Sequence, residues 1–232
     1  MHETEIKKGK VFPFVLPWKS AEGQSLGAIG TIKSRIFSIS YLLIIWSIVG
    51  VLGFASTRNC EGTWQLAFQC EYAFWAKHLT SSPLIYFRNS LTTLFFHNGL
   101  DHLLFVSVLG ILVIIQSHEA HYGHKATLLI FMSAYALVAP VLGSFYVIGL
   151  NLYPDSWFFQ FAFERNWMGG SLGMFQVYGA LANRSRKPHV MLGLPIVFET
   201  FNLTVLEIDP HISIMHLTST FSGYLLSKYL VR

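Results

Sequence analysis

Six apolar segments limit most strongly what this chain can fold into. A helix needs about 20 predominantly apolar residues to cross the hydrocarbon core of a bilayer, and about 17 can suffice. The composition agrees, because 53% of the residues are hydrophobic and only 12% are charged, against roughly 25% charged in soluble domains. We therefore expect an all-α membrane protein, built as a bundle of six transmembrane helices. The predicted segments cover residues 36–54, 100–115, 126–149, 167–182, 190–205 and 212–230.

The chain is predicted to divide into a basic N-terminal tail, residues 1–35, and a transmembrane domain, residues 36–232. The tail carries six Lys and Arg residues against three Glu. Its aromatic, proline-containing stretch 11–18 has two interpretations: it lies at the lipid interface, which favours Trp, or it is held by contacts with the bundle. The first apolar segment begins too late to indicate a cleavable signal peptide.

The positions of the positive charges predict the orientation. If the N-terminus is cytoplasmic, twelve of the sixteen Lys and Arg residues lie on the cytoplasmic side, in agreement with the positive-inside rule. We therefore expect an integral protein of the cell membrane, inner or plasma, with both termini in the cytoplasm. The net charge of +4 gives no reason to expect a nucleic-acid partner.

The long first loop, residues 55–98, would then lie outside the cytoplasm. It is rich in aromatic residues and contains a second apolar piece, 84–87, so we expect it to lie in the membrane interface, partly as short helices. Cys60 and Cys70 both fall in this loop, and disulfides persist in oxidising compartments. A Cys60–Cys70 bridge is predicted, with two unpaired thiols as the alternative.

Three polar side chains near the outer ends of three spans indicate a candidate site. His102 lies in the first turn of the second span, and Ser171 and His216 lie about four residues into the fourth and sixth spans. At about 1.5 Å per residue, Ser171 and His216 would lie some 5–8 Å below the rim. The fourth segment, about 24 Å long, is short for a core of about 30 Å, so water can stand above it. The pattern predicts one wet pocket, and close helix packing is the alternative explanation for the serine.

The motifs around these residues resemble the rhomboid family of intramembrane serine proteases. The sequence HNGLDH at 97–102 resembles the family's paired-histidine motif. Gly169-Gly170-Ser171 resembles the front of its Gly-x-Ser-Gly motif, and the two glycines would support the oxyanion site. His216, with Gly223 seven residues later, resembles its last helix, and Phe175 stands where the family often has an aromatic residue. The resemblance covers about residues 36–230.

This resemblance implies a rhomboid-like bundle with a Ser–His dyad that cleaves transmembrane segments of membrane proteins. Ser171 would be the nucleophile, and His216 the general base that later protonates the leaving amine. His102 and the backbone N–H of Ser171 would stabilise the oxyanion. Phe175 would pack under the imidazole of His216, and His97 would hold the top of the second span. The partners would be substrate proteins and the lipid bilayer, and neither a cofactor nor a metal is implied.

Three departures from the family pattern leave a second function open. Val106 stands where the family usually has an asparagine, Leu172 replaces the glycine after the serine, and Ser219 replaces a glycine of the last helix. Loss of one oxyanion donor elsewhere costs roughly 10²–10³ in rate. The alternative is a catalytically inactive rhomboid-like protein that acts as a binding or scaffold subunit of a membrane complex.

Two further polar clusters lie outside these motifs. The stretch 118–121, His-Glu-Ala-His, lacks the spacing of the zinc motif His-Glu-x-x-His, so we expect a solvated cytoplasmic connector at 117–125. Glu199 and Asn202 lie inside the fifth span, where polar groups usually face the bundle. We expect a structural hydrogen bond from Glu199 to another span. A proton or ion path, and with it a small transporter, is the alternative.

Overall fold

The computed structural model describes residues 10–230, so the first nine residues of the predicted basic tail lie outside the description, as do the last two of the chain. The structure is mostly helical, at 73%. Its α-helices are α1 (Ala28–Ser34), α2 (Ile36–Leu52), α3 (Trp64–Tyr72), α4 (His78–Ser81), α5 (Pro83–Thr92), α6 (Leu100–Leu104), α7 (Gln116–Ser133), α8 (Ala139–Leu152), α9 (Trp157–Glu164), α10 (Ser171–Ala182), α11 (Pro188–Thr204) and α12 (Pro210–Leu230).

Among the residues that the structure describes, one helical run, Leu100–Leu152, is long and apolar enough to cross a membrane by length and composition. It joins α6, α7 and α8 through the π-helical stretches Phe105–Ile115 and Ala134–Val138. Gly123, with φ 80° and ψ 168°, interrupts the run inside α7, between the second and third predicted segments. The helices α1 and α2, bent by 85°, pass the same test when taken as a pair.

The expectation of an all-α fold is correct only in part, because the described residues also form two short strands. β1 (Phe74–Trp75) pairs antiparallel with β2 (Asn166–Trp167). The hydroxyl of Thr93 donates a hydrogen bond to the carbonyl of Trp167, and the N–H of Gly169 donates to the carbonyl of Thr93 at 3.0 Å. These bonds fix the long first loop to the segment that precedes α10.

The long first loop is itself folded into the short helices α3, α4 and α5. The side-chain amide of Asn89 on α5 donates to the carbonyls of Glu71 and Ala73, at 2.7 Å each. Cys60 and Cys70 are joined in a disulfide. Side-chain hydrogen bonds and a covalent link therefore hold the loop together where regular structure is sparse.

The central helix of the structure is α10, because all twelve of its residues are buried. Its backbone packs directly against that of α12 through two glycines. A Cβ on Gly179 would overlap the carbonyl of Thr220, and a Cβ on Gly223 would overlap that of Gln176. Such close approach through small residues is typical of helix pairs in membrane proteins.

The N-terminal tail is held by contacts with the bundle, which is one of the two interpretations of residues 11–18. The N–H of Val15 donates to the hydroxyl of Ser117 at 2.9 Å. The imidazole of His121 lies 2.9 Å from the carbonyl of Pro13. Residues 11–18 therefore pack against the first part of α7 without forming a helix or strand themselves.

The expectation of a solvated connector at 117–125 is wrong for its first part, because α7 continues through it and residues 117–119 are buried. Glu119 accepts hydrogen bonds from the N–H groups of Phe37 and Ser38, at 2.8 and 3.0 Å, and from the Ser38 hydroxyl at 2.6 Å. These N–H groups belong to the first turn of α2, where backbone donors have no acceptor within the helix. The carboxylate supplies that acceptor, so the acid is satisfied without solvent.

Candidate active site

Two glycines place Ser171 at the start of α10. Gly169 has φ +113°, a region that residues with a side chain rarely adopt, and a Cβ there would overlap the ring of His102. A Cβ on Gly170 would overlap the hydroxyl of Tyr41. Any larger residue at either position would therefore force a shift of the turn that carries the serine or of the side chain that it meets.

The helices around the site begin at residues other than those predicted. Ser171 is the first residue of α10 instead of lying about four residues inside it, and His216 lies about two turns into α12 because that helix starts at Pro210. The residues before Ser171 form β2 and the turn at Gly169. The predicted positions within the helices are therefore wrong in detail, because strand pairing and a left-handed turn replace helix before Ser171.

Ser171 and His216 are in direct hydrogen-bond contact, with 3.0 Å between Ser171 Oγ and His216 Nε2. The ring of Phe175, one turn after the serine, stacks on the imidazole with 4.2 Å between centroids and 19° between planes. Both side chains are buried at the wall of a cavity. The stack and the hydrogen bond together fix the plane of the imidazole.

A third side chain, Glu199 of α11, contacts the other nitrogen of His216. Its Oε1 lies 2.7 Å from His216 Nδ1, and its Oε2 accepts hydrogen bonds from Ser213 at 2.7 Å and Asn202 at 3.1 Å. The predicted hydrogen bond from Glu199 to another helix is confirmed, but the sequence pattern does not indicate that the partner is His216. The sequence signal that could have indicated this contact is the presence of Glu199 inside an apolar segment, because ionisable residues there usually have a functional partner.

The start of α10 presents backbone N–H groups beside Ser171. The first N–H groups of a helix have no acceptor within the helix, and the helix dipole adds partial positive charge there. Tyr135 fixes this helix end, because its hydroxyl accepts from the N–H of Gly173 at 3.2 Å and donates to the carbonyl of Gly169 at 2.9 Å. The arrangement can stabilise negative charge that develops on an oxygen next to Ser171.

A cavity of about 530 Å³ lies beside Ser171 and His216, and His102 lines it as well. The three polar residues selected from the sequence therefore share one cavity. Most of the other walls are apolar, which suits a hydrophobic ligand or peptide segment. The apolar side chains come from Phe74, Phe105, Ala139, Trp167, Met168, Leu172, Phe198, Leu206, Ile208, Ile212 and Met215.

Arg165 brings a positive charge to the same cavity. It forms an ion pair with Asp209, and its guanidinium lies 4.8 Å from the ring centroid of Trp167. Burial alone would raise the pKa of Asp209, but the hydrogen bond from His211 and the charge of Arg165 hold it below its usual range. The ionised Asp209 precedes α12, so this pair anchors the start of the helix that carries His216.

His97 lies beside the cavity-lining His102, with 5.0 Å between ring centroids. It is fully buried, and burial lowers its pKa to about 3, with the charge of His102 acting in the same direction. The side chain is therefore neutral at physiological pH. Its place behind His102 suits support of that residue.

The three departures from the family pattern leave the Ser171–His216 contact intact. Val106 is buried against Gly170 and offers no side-chain donor. Leu172 forms part of the cavity wall, and the hydroxyl of Ser219 lies 2.8 Å from the Leu172 carbonyl. Neither Leu172 nor Ser219 separates the serine from the histidine.

In comparisons with known proteins, no family model, characterised protein or solved structure matches the chain. Within residues 10–230, no group of three or more His, Cys, Asp or Glu side chains is arranged to hold a metal ion. The chemistry of the site therefore has to be derived from Ser171, His216 and the groups around them.

Proposed function

We propose that this chain is a rhomboid-type intramembrane serine protease that cleaves transmembrane segments of other membrane proteins. The observation that carries the proposal is the contact of 3.0 Å between Ser171 Oγ and His216 Nε2 beside a mainly apolar cavity. A nucleophile and a base in hydrogen-bond contact are what acyl transfer requires. Apolar cavity walls can accommodate the side chains of a transmembrane segment, which are mainly apolar.

The reaction begins when Ser171 Oγ attacks the carbonyl carbon of the substrate and His216 Nε2 takes the serine proton. The N–H groups at the start of α10 stabilise the oxyanion, with His102 as a second donor. His216 then gives the proton to the leaving amine, the C–N bond breaks, and an acyl ester remains on Ser171. A water molecule activated by His216 hydrolyses this ester and restores the hydroxyl, so no cofactor is needed.

The proposed topology has six spans in the cell membrane, with both termini in the cytoplasm as the positive charges favour. The spans are α2, the two parts of Leu100–Leu152 on either side of Gly123, α10, α11 and α12. With 12 residues, α10 is about 18 Å long, so this span is shorter than a core of about 30 Å. Because the other helices enclose it, water can reach Ser171 at its outer end without contact between α10 and lipid.

Labelling with a fluorophosphonate probe, which reacts with activated serines, tests the proposal. In isolated membranes the wild-type chain should be labelled, and Ser171→Ala and His216→Ala should each abolish labelling, because residues that act as a unit fail together. Ser81→Ala, at an exposed serine of α4, is the matched control and should label normally. Labelling that persists in Ser171→Ala would contradict the assignment of the nucleophile.

A non-catalytic binding or scaffold role is the second candidate, and Val106 favours it, because a valine stands where a side-chain oxyanion donor is expected. In that case the folded wild-type chain would remain unlabelled, and Ser171→Ala would leave its membrane partners bound. Cleavage of a co-expressed single-span membrane protein separates the two functions. Release of two fragments by the wild type, but not by Ser171→Ala, supports the protease.

A further inference from the structure

Glu199 lies inside α11 with 1% of its surface exposed, and both carboxylate oxygens are occupied. Oε1 contacts His216 Nδ1 at 2.7 Å, and Oε2 accepts from Ser213 and Asn202. We infer that Glu199 is a positioning residue that orients and polarises His216, so that the site is a Ser–His–Glu triad instead of a dyad. This inference rests on the proposed hydrolase function.

The hydrogen bonds determine which nitrogen of His216 carries the proton. An ionised carboxylate only accepts hydrogen bonds, so Nδ1 must donate to Glu199 Oε1. Nε2 then presents its lone pair to Ser171 Oγ, 3.0 Å away, which is the form that can accept the serine proton. Without the carboxylate, either nitrogen could carry the proton, and one of the two forms is inactive.

The surroundings of Glu199 hold its carboxylate in one orientation. Three donors compensate for the removal of the charge from water, and they come from both helices, with Asn202 on α11 and Ser213 and His216 on α12. When His216 takes the serine proton, a positive imidazolium forms beside this negative charge. In a buried site of low dielectric that attraction is strong, so it stabilises the transition state more than the resting state.

A purely structural role, as a polar link between α11 and α12, makes a different prediction. Glutamine has nearly the same size as glutamate and can still bond to Ser213 and Asn202, so Glu199→Gln would preserve the link. It removes the negative charge, and an amide NH₂ group facing Nδ1 favours the inactive form of His216. Glu199→Gln therefore separates the two roles.

The test measures the rate constant of fluorophosphonate labelling at Ser171 in membranes. For Glu199→Gln we expect a loss on the order of 10³–10⁴-fold, as when the acid of a serine protease triad is replaced. Glu199→Asp, which keeps the charge, should restore part of the rate. Glu71→Gln, at an exposed acid of α3, is the control and should label at the wild-type rate.

Equal labelling rates for Glu199→Gln and the wild type would overturn the inference and leave the hydrolase proposal standing. If Glu199→Gln does not fold, Ser213→Ala is the second variant. It removes one donor to the carboxylate and should slow labelling by roughly fivefold; an unchanged rate would overturn the inference.

If the wild type itself is not labelled, the hydrolase proposal fails. NMR of isotope-labelled histidine then tests whether Glu199 still positions His216. A proton on Nδ1 of His216 in the wild type, altered in Glu199→Gln, supports the positioning role, and a proton on Nε2 overturns it.

Discussion

At the scale of single residues, His97 links the stability of the fold to pH. Burial lowers its pKa from 6.5 to about 3, so the side chain stays neutral in the folded protein at a pH where the unfolded chain would protonate it. The unfolded state therefore binds more protons below about pH 6.5, and the free energy of unfolding falls as the pH falls through this window. Above pH 6.5 both states are neutral at His97, and this contribution is constant.

We expect His97→Gln to remove this part of the pH dependence. Between pH 6.5 and pH 3, the wild type should lose up to about 1.4 kcal/mol of unfolding free energy per pH unit relative to the variant. Thermal unfolding in detergent at several pH values measures the difference. His189→Gln, at an exposed histidine of α11, is the control and should follow the wild type. Parallel curves for the wild type and His97→Gln would refute the argument.

At the scale of elements, the distance between α10 and α12 decides whether Ser171 and His216 touch. A Cβ at Gly223 would meet the carbonyl of Gln176, a backbone group that cannot rotate away. The two helices would then have to move apart. The hydrogen bond between the serine and the histidine would lengthen with them.

Gly223→Ala should therefore lower the free energy of unfolding by about 1–3 kcal/mol and slow the labelling of Ser171. Gly193→Ala in α11 is the matched control, because nothing lies within 4 Å of its Cβ position. It should be neutral or stabilising by up to about 1 kcal/mol, since alanine favours the helix over glycine. Thermal unfolding and probe labelling of both variants provide the comparison. Similar results for the two would mean that α10 and α12 do not require this close approach.

The helices could be predicted from the sequence better than their ends. Long, continuous apolar runs in the sequence predict α2, α11 and α12. The start of α10 could not be predicted, because β2 exists only through its pairing with β1, far earlier in the chain. The burial of Glu119 likewise depends on donors at the start of α2, which no local pattern contains.

The candidate site could be predicted from the sequence in part. The small residues before Ser171 and the family-like position of His216 indicate both residues. The contact of Glu199 with His216 bridges 17 positions of the chain, and it depends on how the turn between α11 and α12 orients the two helices. Neither residue spacing nor the family resemblance contains that orientation, so a dyad was expected where three side chains meet.

At the scale of the whole molecule, the positive charges predict the orientation of the proposed membrane topology. Asp155 and Arg186 are exposed in turns on opposite sides of the proposed topology, and both native cysteines are held in the disulfide. A membrane-impermeant maleimide should therefore label Asp155→Cys in intact cells, and Arg186→Cys only after permeabilisation. Labelling of Arg186→Cys in intact cells would invert the topology and put the cavity on the cytoplasmic side.

The complete burial of α10 has a consequence for biosynthesis. Translation proceeds from the N-terminus, so α10 is made before α11 and α12. Until α12 follows, the surface of α10 around Gly179 has no helix to pack against, and Ser171 has no imidazole beside it. The proposed hydrolytic site would therefore form only after α12 has left the ribosome, and a chain truncated before Pro210 would keep the serine without His216 beside it.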